Sequence, residues 1–438
     1  MINIFSTNNK TTFKWSILLL LGLAIFRFWQ LDLKPTHFDE GINGNFIETT
    51  KNIGFYDYNP ENYHGPLYFY ALTAADIIFG STIKVHRALA VTFSLLAIVL
   101  LFMYRSLFSI RLVSILFIGL SPAITFFSRY SIHESLLLLG VILYATSCLL
   151  FIDRRYKSFP YFFWSALLIM STTKETFVFH VFASLIFFIC FCRDRHKDLR
   201  FVLHIPSVLL FSCIFILLYT NVFTDLSGLA EFFRAYFNWG TTGIKGNGHE
   251  KVYYYFVELL IKFEFAFFLG FICMFYYLVR GSLKQRFLAV YSLVPLLMYS
   301  LVPYKTPWCF IVFLWALIFA LDWSIAKINK KYLQSLILAP LLIWTAYQSY
   351  DLNFKRYADG THPYVYVQST KKMKRVVDAL QSYAKQQRQF FRVNLHIYLS
   401  STWPLPWLLK DFSGLKYIYR LGESQREVDL LLLNYNDY

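Results

Sequence analysis

GPLYFYALTAADIIFG (65–80) and, six residues further on, RALAVTFSLLAIVLLFMY (87–104) decide how this chain is threaded. The second stretch is almost unbroken apolar sequence. The first is shorter, opens on Gly-Pro and carries Asp76. A helix needs about 20 apolar residues to cross the hydrocarbon core of a bilayer, so the first stretch is short as well as burdened with a charge. Read as a juxtamembrane or half-buried outer helix, it leaves one threading for the rest of the chain. Read as a crossing, it reverses every later segment.

The composition supports a membrane setting. Of 438 residues, 57% are hydrophobic and only 16% charged, against roughly a quarter charged in soluble domains. The net charge of +16 does not point to nucleic acid, because the cations fall in short clusters between apolar runs. These clusters are Arg105/Arg111, Arg154/Arg155/Lys157, RDRHKDLR (193–200), Arg280/Lys284/Arg286 and Lys327/Lys330/Lys331. The positive-inside rule puts all of them, with the N-terminus, in the cytoplasm only when 65–80 does not cross. This threading has eleven crossings, at 15–33, 87–104, 112–127, 135–152, 160–171, 176–192, 201–221, 252–279, 287–302, 308–323 and 332–349, with an outer loop at 34–86 and the C-terminus outside. The first run lacks a small-residue cleavage site and is read as a retained helix in the plasma (inner) membrane. Its Arg27 is expected to snorkel to the interface or to form an ion pair. The six cysteines all fall in or beside apolar runs and are expected to be buried, inert thiols.

From Asp351 the character changes. YVYVQ (364–368), VNLHIYL (393–399) and VDLLLLN (428–434) have the β-branched, aromatic or continuously apolar content of strands, and KKMKRVVDALQSYAKQQ (371–387) has helical spacing. The expected organisation is therefore an all-α polytopic membrane domain over 1–350 and a small extracytoplasmic α/β domain over 351–438.

The unusual polar residues gather on the predicted outer side. His37, Asp39 and Glu40 come just after the first helix, and His64 ends the same loop. Arg129, His133 and Glu134 lie at the next outward turn, Lys174 and Glu175 at the one after, and Tyr304 and Lys305 at a later one. Taken singly, each has an ordinary explanation as a solvated loop charge, a local ion pair or an interface anchor. Together on one face they form a candidate site, because ionisable groups at membrane helices are costly. Carboxylates can take a proton from an acceptor hydroxyl, and Arg or Lys can stabilise a phosphate leaving group. Such a set suits a substrate with an isoprenoid tail and a phosphate head. The glycine-rich loop 240–251 reads either as a connector or as a lid, and WPLPW (403–407) either as a sugar-stacking platform or as packing.

The motifs HFDEGINGNF (37–46), YDYNPENYHGPLYFY (56–70), TTKET (172–176), GHEKVYYYFVELLIKFE (248–264), YKTPW (304–308), HPYVYVQST (362–370) and STWPLPWLLKDF (401–412), in that order, resemble the flippase-activity-associated family of archaea and bacteria. More broadly, the acidic pair after the first helix, Arg87, and SRYSIHE (128–134) resemble the GT-C glycosyltransferases of the dolichyl-phosphate-mannose protein mannosyltransferase and aminoarabinose transferase superfamily. The resemblance implies an inverting transferase that moves a sugar from a polyprenyl-phosphate donor to a glycan, lipid or protein acceptor at the outer surface. It implies Asp39 as the general base, Glu40 as its support and a second acidic role for Glu134. Arg129, Lys174 and Lys305 become candidates for the donor phosphate, and His64, His133, Glu175 and Tyr304 for further substrate contacts. Gly65 departs from the His-Pro-Pro-Leu of mannosyltransferases, and His133-Glu134 stand where relatives carry Asp. A divalent metal held by carboxylates with His37, His64 or His249 is left open, because no spacing is diagnostic. The rival reading is an accessory or transport protein for lipid-linked sugars, for which Glu258, Lys262 and Glu264 in a late helix are the main argument.

Overall fold

The computed structural model describes residues 10–399, 401–418 and 428–433. Each of the eleven expected crossings contains helical backbone, several of them interrupted. Among the described residues, Ile83–Met103, Glu134–Ile152 and Pro307–Ala326 are each long and apolar enough to cross a bilayer alone. Segments 197–203 and 205–219, bent by 48°, add a fourth when taken as one span. The others are shorter, broken or carry an internal proline, as at Pro295 and Pro340.

The first helix, Lys10–Phe28, ends earlier than expected. Gln30 takes a left-handed φ of 50°, and the carbonyls released there are met by side chains. Arg129 donates to those of Trp29 and Gln30 (2.6 and 3.0 Å). Arg87 donates to those of Leu31, Lys34 and Pro35 (2.6, 3.0 and 3.1 Å). Backbone groups in an apolar setting must find partners, and these two arginines supply them.

A second break explains two charges that are out of place on apolar helices. The span expected at 112–127 divides at Ser121–Pro122 into Leu112–Leu120 and Pro122–Ser128. The Ala123 amide and the Gly119 carbonyl, which would bond to each other in a continuous helix, are separated. Glu264 Oε1 accepts from Ala123 N (2.7 Å) and from the Ser121 hydroxyl (2.9 Å). Arg27 donates to Gly119 O (3.0 Å) and to the hydroxyls of Ser94 and Ser128 (2.8 and 2.7 Å). Arg27 is fully buried, so it does not snorkel, and it has no acidic partner among the described residues: it repairs one half of a broken helix and Glu264 repairs the other. Glu258 and Lys262 are an exposed i,i+4 pair.

The five basic clusters share one end of the bundle. Arg111 pairs with Asp322 (2.6 Å) and Lys284 with Asp153 (2.8 Å), Tyr156 donates to Asp198 (2.6 Å), and Lys327 sits over the rings of Tyr276 and Tyr277. Large apolar side chains such as Leu209, Leu336 and Ile343 are exposed on the bundle exterior, the arrangement a lipid surround requires. The cysteines are all free. Cys148, Cys192 and Cys309 are buried as expected, but Cys190 and Cys213 are exposed.

The C-terminal segment carries a small parallel sheet of three strands, β1 (Leu395–Tyr398), β2 (Lys416–Tyr417) and β3 (Leu430–Leu433), in the order β2-β1-β3. Leu395 pairs with Leu430 and His396 with Lys416. Helix Lys371–Gln386 begins at Thr370, whose hydroxyl accepts from Met373 N (3.1 Å), and with β1 it buries Val377, Ala384, Leu395 and Ile397 in a core of its own. YVYVQ is not a strand. Val367 has a left-handed φ of 51°, and only Gln368 forms an isolated bridge, to His37. Strand β2, two residues with no pattern of their own, has no signal in the sequence.

WPLPW is packing. Trp407 is buried, lies against Gly44 and stacks on His86 (5.0 Å), while Pro404 presses on Gly41. A Cβ at either glycine would fall 2.4 Å from these side chains, so the approach of Pro404 and Trp407 to helix Phe38–Ile53 requires glycine at both positions.

Candidate active site

Helix Phe38–Ile53 starts at His37, which takes the place of the usual Ser or Thr in a capping box. The Asp39 amide donates to His37 Nδ1 (3.1 Å), and the His37 amide donates to Glu40 Oε2 (2.9 Å). The His37 ring is wedged between Tyr130 (5.3 Å) and Trp308 (5.0 Å). Nδ1 accepts from the Asp39 amide, and its 3.8 Å approach to the Asp39 carboxylate is too long for a hydrogen bond.

Successive helical residues point about 100° apart, and this separates the two acids. Glu40 turns inward and is fully buried. It accepts from Arg87 Nε and Nη2 (2.7 Å each) and from Ser131 N (2.9 Å). Burial alone would raise the Glu40 carboxyl, but the Arg87 guanidinium and these amides outweigh it and hold the group below the usual carboxylate range. Asp39 turns the other way. It is partly exposed and lines a cavity of about 210 Å³.

The cavity collects side chains from distant parts of the chain. Among those expected from sequence, Asp39, His64, His133, Lys174, Glu175 and Tyr304 line it. His64 Nδ1 lies 3.0 Å from Glu175 Oε2, and its ring is 4.6 Å from that of His133. Lys174 forms a buried ion pair with Glu134, the first residue of helix Glu134–Ile152. Burial would lower the Lys174 ammonium; Glu134 and Glu175 reverse this and keep it charged well above its ordinary range. His133 is buried and its Nε2 has no partner among the described residues. Burial, His64 and Lys174 push it well below the ordinary histidine range, so it is neutral.

The remaining four candidates stand outside the lining, Glu134 behind Lys174 as its ion-pair partner. Glu40 serves Arg87, and Arg129 caps the end of the first helix and lies over the Phe354 ring at 4.5 Å. Lys305 donates to the carbonyls of Lys251 and Val302. Each is a bond between the cavity's supports, not a group facing its interior.

Gly65 has a local reason. Its amide donates to Thr173 O (3.1 Å) and that of Leu67 to Thr172 O (2.9 Å), so the two chains run backbone to backbone. A Cβ at 65 would lie 2.3 Å from the Thr172 carbonyl, and proline there would also lose the amide. This contact brings His64 to Glu175.

Sequence reasoning did not single out Asn43, Glu61, Tyr63, Trp239, Thr306 and Trp308, which also line the cavity. Trp239 belongs to helix Gly228–Lys245, which takes up the first half of the loop expected at 240–251. From 240–251, Thr242, Gly243 and His249 line the cavity, and the end of the loop is tied down. Lys251 N donates to Pro303 O (3.2 Å), Lys305 N to His249 O (3.1 Å), and His249 Nδ1 lies 2.6 Å from the Tyr366 hydroxyl. Among the described residues no three His, Cys, Asp or Glu side chains are grouped to hold a metal ion.

The fold is of the GT-C type, largely helical with a small C-terminal sheet. The chain is similar to ArnT from Cupriavidus metallidurans in two crystal structures. In the one bound to undecaprenyl phosphate, identity is 14% over 93% of this chain and 86% of that one, with a TM-score of 0.66. In the apo state the values are 14%, 94% and 86%, with a TM-score of 0.67. No family model matches the sequence, and no curated protein matches it.

Proposed function

We propose that this protein is an inverting glycosyltransferase that moves a sugar from a polyprenyl-phosphate donor to an acceptor hydroxyl at the extracytoplasmic face of the plasma membrane. The observation that carries the reading is Asp39. It is a carboxylate without a Lys or Arg partner among the described residues, lining the same cavity as His64, His133 and the charged Lys174. Asp39 takes the proton of the acceptor hydroxyl as its oxygen attacks the anomeric carbon. The bond from that carbon to the phosphate oxygen breaks on the opposite side, which inverts the centre, and the electron pair leaves with the polyprenyl phosphate. Lys174 and the His64 ring face the charge that grows on the leaving oxygen. Glu134 keeps Lys174 ionised, and Glu175 orients His64.

The extracytoplasmic setting rests on the five basic clusters, which share one end of the bundle and by the positive-inside rule belong to the cytoplasm. ArnT bound to undecaprenyl phosphate on a similar fold supports a polyprenyl-phosphate donor. The seven motifs support kinship with the flippase-activity-associated family, and the change of sequence character from Asp351 supports a division into a membrane domain over 1–350 and an outer domain over 351–438. A purely transporting role loses its main sequence argument, because Glu264 serves the helix break at Ser121. The test is release of radiolabelled sugar from polyprenyl-phosphate donors to a panel of acceptors. Transfer that is abolished by Asp39→Asn supports the reading. Lipid movement without sugar release, or full activity in Asp39→Asn, overturns it.

A further inference from the structure

At the end of the bundle that carries the basic clusters, an apolar groove of about 470 Å³ opens between helix Phe159–Ser171 and helix Val178–Phe191. The two helices are joined by the turn at 172–177 beside the Asp39 cavity, and the groove lies towards their other ends. Phe159 and Phe163 face Val181, Leu185 and Phe188 across it. Phe179 lines the active-site cavity and Ile189 lines the groove. Along that helix the groove lining runs from Val181 to Ile189 and begins two residues after Phe179. The rim is open to the exterior of the bundle, with Leu185, Ile189 and Leu199 each about half exposed.

One end of this greasy slot is charged. Arg193 and Arg195 both line it. Arg193 Nε donates to Ile189 O (3.0 Å) and Arg195 to Ile152 O (2.8 Å), so both side chains are anchored at the slot's mouth by backbone carbonyls. The flanking loops carry cations at 154, 155, 157, 197 and 200 against acids at 153, 194 and 198. Two of those acids are engaged elsewhere, Asp153 by Lys284 and Asp198 by the Tyr156 hydroxyl. An apolar slot that ends on two guanidinium groups in a loop with an excess of cations matches a molecule with a hydrocarbon chain and an anionic head.

We infer that this groove holds one acyl chain of an anionic phospholipid from the cytoplasmic leaflet, with its headgroup phosphate on Arg193 and Arg195. The choice of leaflet rests on the orientation proposed above; the groove and its arginines do not. The lipid fills the space between two helices that share the wall of the active-site cavity, so its effect is to hold them at a fixed separation. Guanidinium groups bind phosphate oxygens with paired N–H donors, which a zwitterionic head screens with its own cation. The slot therefore selects for a head of net negative charge.

Native mass spectrometry of the full chain, delipidated and then supplied with phosphatidylglycerol or phosphatidylcholine of identical acyl chains, tests this without any sugar donor. One phosphatidylglycerol is expected to survive collisional activation that strips phosphatidylcholine, and to raise the melting temperature. Arg193→Gln with Arg195→Gln should lower that retention about tenfold. Lys330→Gln with Lys331→Gln, on another basic loop, should not change it. Leu185→Trp, which fills the slot from its exposed rim, should displace both lipids while leaving the circular dichroism spectrum intact. Equal retention of the two lipids, or undiminished retention in the arginine variant or in Leu185→Trp, overturns the inference. A transferase assay that fails while lipid selectivity persists would count against the proposed reaction alone.

Discussion

Asp39 and Glu40 are neighbours with the same functional group, and the geometry predicts opposite consequences for their neutralisation. In Glu40→Gln the shape is kept, but the amide nitrogen must replace one of two oxygens that each accept two N–H donors. One oxygen serves Arg87 Nε and Ser131 N, the other Arg87 Nη2 and His37 N. Either placement sets an N–H₂ against two N–H groups and leaves the fully buried Arg87 without a counter-charge. Breaking a buried pair in this way costs about 3–5 kcal/mol, a large share of a typical total of about 5–15 kcal/mol. For a chain of 438 residues the corresponding fall in melting temperature is about 3–5 °C. Asp39→Asn loses no ion pair and should melt within about 1 °C of the wild type, because exposed substitutions away from such features fall within about 0.5 kcal/mol. Its transfer rate should drop by about 10²–10⁴-fold with the general base removed. Intrinsic-fluorescence melts in detergent, run beside the transfer assay, read both quantities. If Glu40→Gln melted with the wild type, the buried pair would not be holding the helix start. If Asp39→Asn were destabilised as much as Glu40→Gln, Asp39 would be a structural residue and the proposed base would be wrong.

His37→Ala removes the cap of the helix that carries Asp39 and should cost about 1 kcal/mol, whereas His37→Asn, a good cap, should recover most of the stability; equal losses in the two variants would show that the ring, not the cap, matters. Gly65→Ala forces apart the backbones at 65–67 and 172–173 and should cost about 1–3 kcal/mol, with a rise in KM as His64 leaves Glu175; a variant with unchanged melting and KM would contradict the close approach. His362 is lowered to about 4, mainly by burial and then by Arg356, and its Nδ1 accepts from Tyr364 N (3.1 Å). The unfolded chain binds the proton from about pH 6.5 downwards and the folded chain only near pH 4, so stability is complete above pH 6.5 and falls as the pH drops, by about 2 kcal/mol at pH 5. Melting curves between pH 7.5 and 5 should show this slope, and His362→Gln should flatten it; an equal slope in the variant would assign the loss to other groups.

Much of the architecture was legible in one dimension, because a bilayer reduces folding to a question of which segments are apolar and where the cations lie. Runs of about 20 apolar residues have to be helical, since no water is available to satisfy the backbone. The clusters from Arg105 to Lys331 marked one end of the bundle for the same reason. Asp39, His64, His133, Lys174, Glu175 and Tyr304 could be picked out because each borders an apolar run at the opposite end, and all six line one cavity. The order of motifs pointed to the GT-C fold. What the sequence could not express was direction. Whether Asp39 or Glu40 faces the cavity depends on where the helix starts, and His37 sets that start through one hydrogen bond. Whether Arg27, Arg87 and Arg129 serve chemistry or structure depends on which backbone carbonyls a broken helix leaves bare, and those breaks arise from left-handed turns and a proline in three dimensions. Gly41, Gly44 and Gly65 read as ordinary glycines until Pro404, Trp407 and Thr172 press against them. Apolar patterning is a property of segments and survives in the sequence, whereas the partner of a buried charge is a property of the assembled fold.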